Sequence, residues 1–288
     1  MFFDLLSPVQ WGFYFNASNK DQGSNDLMQL VEYLDEKTLG GKGPSVNTVF
    51  ARNMARVLFL SRLLILKYCL QVPNCHQTFS SASWAILQVC PVMFEDVFLR
   101  LLSILYDRLE GLAILESDLR PIVRHELHTV QKSLAAHDYP NFSIRTKLRL
   151  VIDEAQILGD KCSGLFQSSL EDDLRPMLSA VLNGFRKAGG QDDFTILYCG
   201  TGLSIRTLHW ALSSGYGVKE YNPTIIPSFI EFPGWTSPDS VQSYVDQIKD
   251  QLSDDGSKSM VDALIPPAAV DMLYKKACWS LPSNRNGN

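Results

Sequence analysis

A run of apolar residues, Leu148, Leu150, Val151 and Ile152, ends abruptly in the adjacent carboxylates Asp153 and Glu154, with Gln156 two positions on. Adjacent acids at a strand terminus can divide labour in phosphoanhydride chemistry: one holds a magnesium ion, usually through water, and the other polarises the water that attacks a γ-phosphate. On that reading Asp153 is the metal residue, Glu154 is the base, and Gln156 orients the nucleophile or relays nucleotide state. The competing reading, a strand that merely enters a solvated loop, stands on about even terms for a bare hydrophobic run plus two acids. A second apolar run, Phe194 to Cys199, ends equally abruptly in Gly200-Thr201-Gly202. The small neighbours of Thr201 let backbone and hydroxyl approach a phosphate, although glycines also end strands for purely conformational reasons. Arg175, just before Pro176, is a further candidate phosphate contact, set against the commoner fate of a solvated or ion-paired helix arginine.

A phosphate cradle needs G-x-x-x-x-G-K-[ST], whose backbone N–H groups point at the phosphates. The nearest match, Glu36 to Gly43 (EKTLGGKG), lacks the first glycine and has Gly43 where the hydroxyl belongs. No strand precedes it in the sequence pattern and no helix is expected to open from it, so it is rejected as a phosphate loop. Ser168 and Ser204 have no placed His and Asp partners for a hydrolase triad, and His125 and His128 share a helix face without a third metal ligand. The six cysteines, Cys69, Cys75, Cys90, Cys162, Cys199 and Cys278, are far apart and form no CxxC pair, which fits reduced thiols in an intracellular, cytoplasmic protein.

The elements that must position these residues follow from periodicity. Trp11 to Ser18 is aromatic-rich and ends in turn formers, as a short strand does. Asn19 to Asn47 reads as a long surface loop with one helical turn around Leu27 to Leu34. From Thr48 apolar residues recur at three- and four-residue steps, predicting a helix that stops before Pro73. Further helices are predicted over 80–89, 91–109 and 117–136, completing a helical block. The two apolar runs that end in Asp153-Glu154 and Gly200-Thr201 suit parallel strands covered on both faces, and a helix around Leu170 to Lys187 between them makes a β-α-β unit. A helix over 203–212, a weak strand over 229–232, and helices over 238–252 and 267–277 complete the pattern, the last two as a small C-terminal helical lid.

The composition is that of an ordinary packed protein: 45% apolar and 20% charged residues in a 288-residue chain. A net charge of −5 gives no global attraction to nucleic acid or anionic lipid, so neither is the default partner. The most hydrophobic stretch, Val57 to Val72, is interrupted by Arg62 and Lys67 and is too short for a bilayer, and the N-terminal segment has no basic n-region of a secretory signal.

Together LRLVIDEAQ (148–156), LEDDLRPMLSAVL (170–182), ILYCGTGLS (196–204) and FIEFPGW (229–235) resemble the AAA-like P-loop NTPase module of fungal Crinkler-type effector proteins. WGFYFNAS, SRLLILKYCLQVP and QTFSSASWAILQVCP look like the same family, so the likeness spans roughly residues 10 to 276. The resemblance implies that Asp153 and Glu154 match the Walker B acids, that Thr201 sits at the sensor-1 position, and that ATP and magnesium are the ligands. It also implies a preceding strand, Walker A loop and helix, of which only Phe2 to Ser7 matches here, and a following arginine-bearing sensor-2 helix that ACWSLPSNRNGN does not match. The expected architecture is therefore an incomplete P-loop NTPase (AAA/ASCE-like) α/β core over 1–235, with the helical block 48–136 inserted, and a partial helical lid over 236–288. The family's sheet order sets the missing strand in the middle, so the isolated chain is expected to be marginal, aggregation-prone or completed by another polypeptide. Three functions compete: an ATPase-related effector protein, a non-hydrolysing binding module acting through the helical block, and a helicase-like motor, the last disfavoured by the acidic balance and by the absence of a second motor domain in a chain this short.

Overall fold

The computed structural model describes residues 11–18, 23–38, 43–72, 79–89, 95–110, 119–136, 148–162, 164–167, 174–188, 194–200 and 237–251, and pieces at 258–259, 261–262, 265–266, 269–272 and 274–275. It is a mixed α/β structure, mostly helical, around a small parallel sheet. The strands are β1 (Gly12–Asn16), β2 (Leu148–Asp153), β3 (Phe166–Gln167), β4 (Leu174–Arg175) and β5 (Phe194–Tyr198). The helices are α1 (Asn25–Thr38), α2 (Pro44–Gln71), α3 (Ser81–Val89), α4 (Val97–Glu110), α5 (Arg120–Ala136), α6 (Ala155–Asp160), α7 (Met177–Ala188) and α8 (Pro238–Gln251). The chain divides into two compact units, 1–221 and 222–288.

In the first unit β1, β2 and β5 form a sheet in the order β1-β2-β5, all parallel, with Tyr14 opposite Val151 and Val151 opposite Leu197. The two apolar runs thus lie side by side, as their continuous hydrophobicity predicts for strands covered on both faces. Alternation assigns Phe13, Phe15, Leu150 and Ile152 to one face, and all four are fully buried. Phe59 of α2 meets Phe13 edge-on at 4.9 Å, and Phe185 of α7 stacks on Phe15 at 5.0 Å. The helices α2 and α7 approach closely at Gly184, where a Cβ would collide with the Cβ of Ala55 and the carbonyl oxygen of Arg52. The other face carries Tyr14 and Val151, which pack with Ala85 of α3, with Leu197 of β5 and with Cys199 just past its end.

As an outermost strand of this sheet, β1 would present unpaired backbone groups. Side chains satisfy them instead. The Tyr14 N–H donates to Oε1 of Gln88 at 2.9 Å, and the Gly12 carbonyl accepts from Nε1 of Trp84 at 2.7 Å and Nε2 of Gln88 at 3.2 Å. The Tyr14 carbonyl accepts from Nη1 of Arg62, and Asn16 exchanges bonds with Ser24 through the hydroxyl oxygen (3.0 Å) and the backbone N–H (2.8 Å) of that serine. Arg62 and Asp26 are each 1% exposed and form a two-point ion pair, Nε to Oδ2 and Nη2 to Oδ1, both at 2.7 Å. The guanidinium also lies over the rings of Phe15 (4.1 Å) and Phe98 (4.8 Å). A buried charge is tolerated when it is paired and hydrogen-bonded, and here all three guanidinium nitrogens donate, to Asp26, to the Tyr14 carbonyl and to Oε1 of Gln88 (3.2 Å), while the rings cover its face.

Three expectations require correction. Residues 25–38 form a full helix, not a surface excursion: Leu27, Leu30, Val31 and Leu34 lie on one stripe and are at most 2% exposed. The EKTLGGKG segment does open directly into a helix, because Gly43 is the N-cap of α2 and Pro44 its first residue; what precedes it is α1, not a strand. Arg175 lies not in a helix but in β4, paired antiparallel with β3 (Phe166 opposite Arg175), a short hairpin that periodicity did not reveal. The predicted strand over 229–232, the helix over 203–212, Phe2 to Ser7 and residues 91–94 of the 91–109 helix lie outside the described residues; the described residues 95 and 96 are not helical, and α4 begins at Val97, where Asp96 caps it by accepting from the Leu99 N–H at 3.0 Å.

The second unit contains α8, which starts at a reciprocal cap: the Ser240 N–H donates to the Ser237 hydroxyl, and the Ser237 N–H to that of Ser240, both at 3.2 Å. Within this unit Lys249 pairs with Asp262, and Val241, Val245 and Val270 are buried. Among the described residues no helix is long and apolar enough to cross a membrane.

Candidate functional site

Asp153 is the last residue of β2, and strands β1 and β5 run parallel to it, so polar groups at their carboxyl ends share one rim of the sheet. In open α/β sheets that rim is where ligands bind. The carboxylate of Asp153 is held from both neighbouring strands. Tyr14 donates its hydroxyl to Oδ2 at 2.6 Å, and Cys199 donates its thiol to Oδ1 at 3.0 Å. The Glu154 N–H also donates to Oδ1, at 3.0 Å. Pairing continues past the end of β5, with the Cys199 N–H donating to the Ile152 carbonyl and the Ala155 N–H to the Cys199 carbonyl, both at 3.0 Å; this fixes the thiol opposite the carboxylate.

Burial, reinforced by the hydrogen bond to Asp153 and its negative charge, raises the Tyr14 hydroxyl far above the ordinary tyrosine range. The same causes in the same order raise the Cys199 thiol. Both groups therefore keep their protons at any physiological pH. They are fixed donors and not a base or a nucleophile.

Glu154 turns the chain from β2 into α6 with φ 51° and ψ 38°, a left-handed conformation that costs a non-glycine residue about 1–2 kcal/mol. Its Oε2 accepts from Nε2 of Gln156. Gln156 in turn rests against Gly200: a Cβ at that position would run into the Gln156 carboxamide. The buried Oε1 of Gln156 has no hydrogen-bond partner among the described residues. Asp153, Glu154, Gln156 and Gly200 are thus brought together, whereas Arg175 lies in the β3–β4 hairpin, 3% exposed. Thr201, Gly202, Ser168 and Ser204 lie outside the described residues.

Sequence reasoning missed Tyr14, Cys199 and Arg62. Tyr14 was legible only as part of an aromatic strand, and Arg62 only as an interruption of an apolar helix.

An ionised carboxylate offers about four lone-pair positions. At Asp153 three are taken by Tyr14, Cys199 and the Glu154 N–H, so there is no room for a chelating grip on a metal. The remaining position, on Oδ2, fits one water from the shell of a magnesium ion, which keeps several of its waters in such sites. Among the described residues no cluster of three or more His, Cys, Asp or Glu side chains could hold a metal by itself.

Compared with protein-family models, curated proteins and solved structures, the chain matches none.

Proposed function

We propose that this chain is an AAA-like, P-loop-type NTPase scaffold that handles magnesium-bound ATP at the rim formed by Asp153, Glu154, Gln156 and Gly200, with Thr201 following in sequence. The carrying observation is the convergence of these residues at the carboxyl ends of neighbouring parallel strands. Carboxylates and the Gln156 carbonyl make the described rim rich in acceptors, so a bare phosphate is repelled there and a nucleotide reaches it through a hydrated cation. When bound, magnesium would supply positive charge to offset the negative charge of the phosphates. Asp153 would help hold the ion through water, and Glu154 would accept the proton of the attacking water. Gln156 is held beside Glu154 and orients that water. Titration with ATP in the presence of magnesium should show binding that weakens at least about fivefold in Asp153→Ala, the loss of roughly one charge-assisted hydrogen bond. Absence of binding at millimolar nucleotide sinks the proposal.

A second reading, a non-hydrolysing interaction module working through the helical block 48–136, is favoured by one specific observation. Tyr14 and Cys199 already satisfy much of Asp153 without any ligand. Retained partner binding with no nucleotide affinity would select it.

A further inference from the structure

The clamp on Asp153 fixes which parts of the carboxylate remain open. Oδ1 accepts both the Cys199 thiol and the Glu154 N–H, each at 3.0 Å, and Oδ2 accepts the Tyr14 hydroxyl at 2.6 Å. A carboxylate oxygen has about two lone-pair positions, so Oδ1 is filled and Oδ2 keeps one. The two side-chain donors come from opposite sides of β2, Tyr14 from β1 and Cys199 from just past the end of β5. Turning the carboxylate to free a second position therefore breaks at least one of these bonds.

Neither donor is free to give way. Tyr14 is 8% exposed, packs with Ala85 and Val151, and has its N–H tied to Gln88 at 2.9 Å. The backbone of Cys199 straddles Asp153, its N–H on the Ile152 carbonyl and its carbonyl on the Ala155 N–H, both at 3.0 Å. Both bonds to the carboxylate are charge-assisted, the stronger kind.

Divalent cations differ in what they ask of such a group. Magnesium gives up water reluctantly and keeps several of its waters in protein sites, so one acceptor position for a metal-borne water suffices. Calcium takes about six to eight oxygen ligands directly and often grips a carboxylate at two points. A two-point grip on Asp153 would need Oδ1, which is filled.

We propose that Tyr14 and Cys199 determine the choice of cation at the rim: by filling Asp153 from both neighbouring strands they favour nucleotide carried by magnesium over nucleotide carried by calcium. The inference rests on the ATP reading above and adds the cation to it. Both act as positioning residues, through Asp153. Loss of the Tyr14 hydroxyl opens all of Oδ2 to direct contact. Loss of both donors leaves a free position on each oxygen, which is what calcium needs.

The test titrates ATP into the full chain by calorimetry, with saturating magnesium or saturating calcium at equal ionic strength, below the melting temperature of each variant and with folding checked by circular dichroism. Wild type should bind the magnesium complex at least about tenfold more tightly, one charge-assisted hydrogen bond being worth roughly one decade. The ratio should shrink in Tyr14→Phe and in Cys199→Ala and fall to about threefold or less in the double variant. Cys199→Ser keeps a donor and should keep most of the preference. A merely structural role for these side chains would weaken both complexes alike and leave the ratio where it was. ATP binding with no magnesium preference in wild type, or with the same ratio in wild type and the double variant, overturns the inference while the ATP reading stands. Absence of ATP binding with either cation overturns both.

Discussion

The hydroxyl of Tyr14 lies 2.6 Å from Oδ2 of Asp153, joining two residues 139 positions apart. The backbone of the same tyrosine is fastened on its other side by Gln88 and Arg62. Tyr14 therefore links the buried Asp26–Arg62 pair to the carboxylate at the rim. Replacing Tyr14 with Phe keeps the ring in its cluster and removes only the donor. A loss of about 1–2 kcal/mol in unfolding free energy is expected, the worth of one hydrogen bond to a charged group with water partly replacing it. Urea melts of the two proteins measure it, and an unchanged midpoint contradicts a role for the hydroxyl in holding Asp153.

The Arg62–Asp26 pair gives a larger effect. Arg62→Ala leaves Asp26 as an unpaired charge at 1% exposure and strips the Tyr14 carbonyl of its donor, so about 3–5 kcal/mol should be lost. Asp26→Ala should cost a similar amount. The double variant should cost well under the sum, because neither charge is then left alone. Simple additivity across this cycle would mean that the two side chains do not stabilise one another.

Gly200 tests the contact with Gln156. Gly200→Ala places a methyl group against the Gln156 carboxamide, a movable side-chain end, so the protein should lose only about 0.5–1 kcal/mol. In a Gln156→Ala background the same substitution should cost almost nothing, and a cost that persists there locates the strain elsewhere.

Cys199 should be slow to alkylate. Its thiol is raised by burial and by its bond to Asp153, so the thiolate is scarce at pH 8. Mass spectrometry after iodoacetamide pulses should show its rate rising at least about tenfold on unfolding in urea. Asp153→Ala should also raise it by removing the hydrogen bond and the adjacent charge. Rapid native labelling would show that the thiol does not sit as described.

The strands were legible because buried parallel strands are written as uninterrupted apolar runs with abrupt polar ends, and 148–153 and 194–198 have that form. The same pattern put Asp153, Glu154 and Thr201 at one rim; Thr201 lies outside the described residues, and its neighbour Gly200 borders Gln156 there. Helix α1 was obscured because Gly, Asn, Asp and Ser crowd its flanks, although Leu27, Leu30, Val31 and Leu34 keep the helical period within it. The partners of Asp153 were not legible, since Tyr14 reaches it only through a register that pairs Tyr14 with Val151 across the helical block. Arg62 looked like a break in an apolar helix because its justification, Asp26, lies 36 residues away on another helix.

Alkaline pH offers a last test of the same rim. Unfolded tyrosines ionise near pH 10, whereas folded Tyr14 and the deeply buried Tyr106 are held above that value chiefly by burial. Their folded values are raised, so the stabilisation they provide is complete below about pH 10 and is lost as pH climbs beyond it, the unfolded chain shedding protons that the folded one retains. Cys199 adds the same trend from about pH 8.5, the ordinary thiol value. Urea midpoints should therefore be insensitive to these groups up to about pH 8 and fall between pH 9 and 11. Tyr14→Phe cannot ionise, so its profile should fall less steeply over pH 10–11 even though it starts lower. Parallel profiles for the two proteins would show that the Tyr14 hydroxyl is free to ionise in the folded state, and the Tyr14–Asp153 bond would then be wrong.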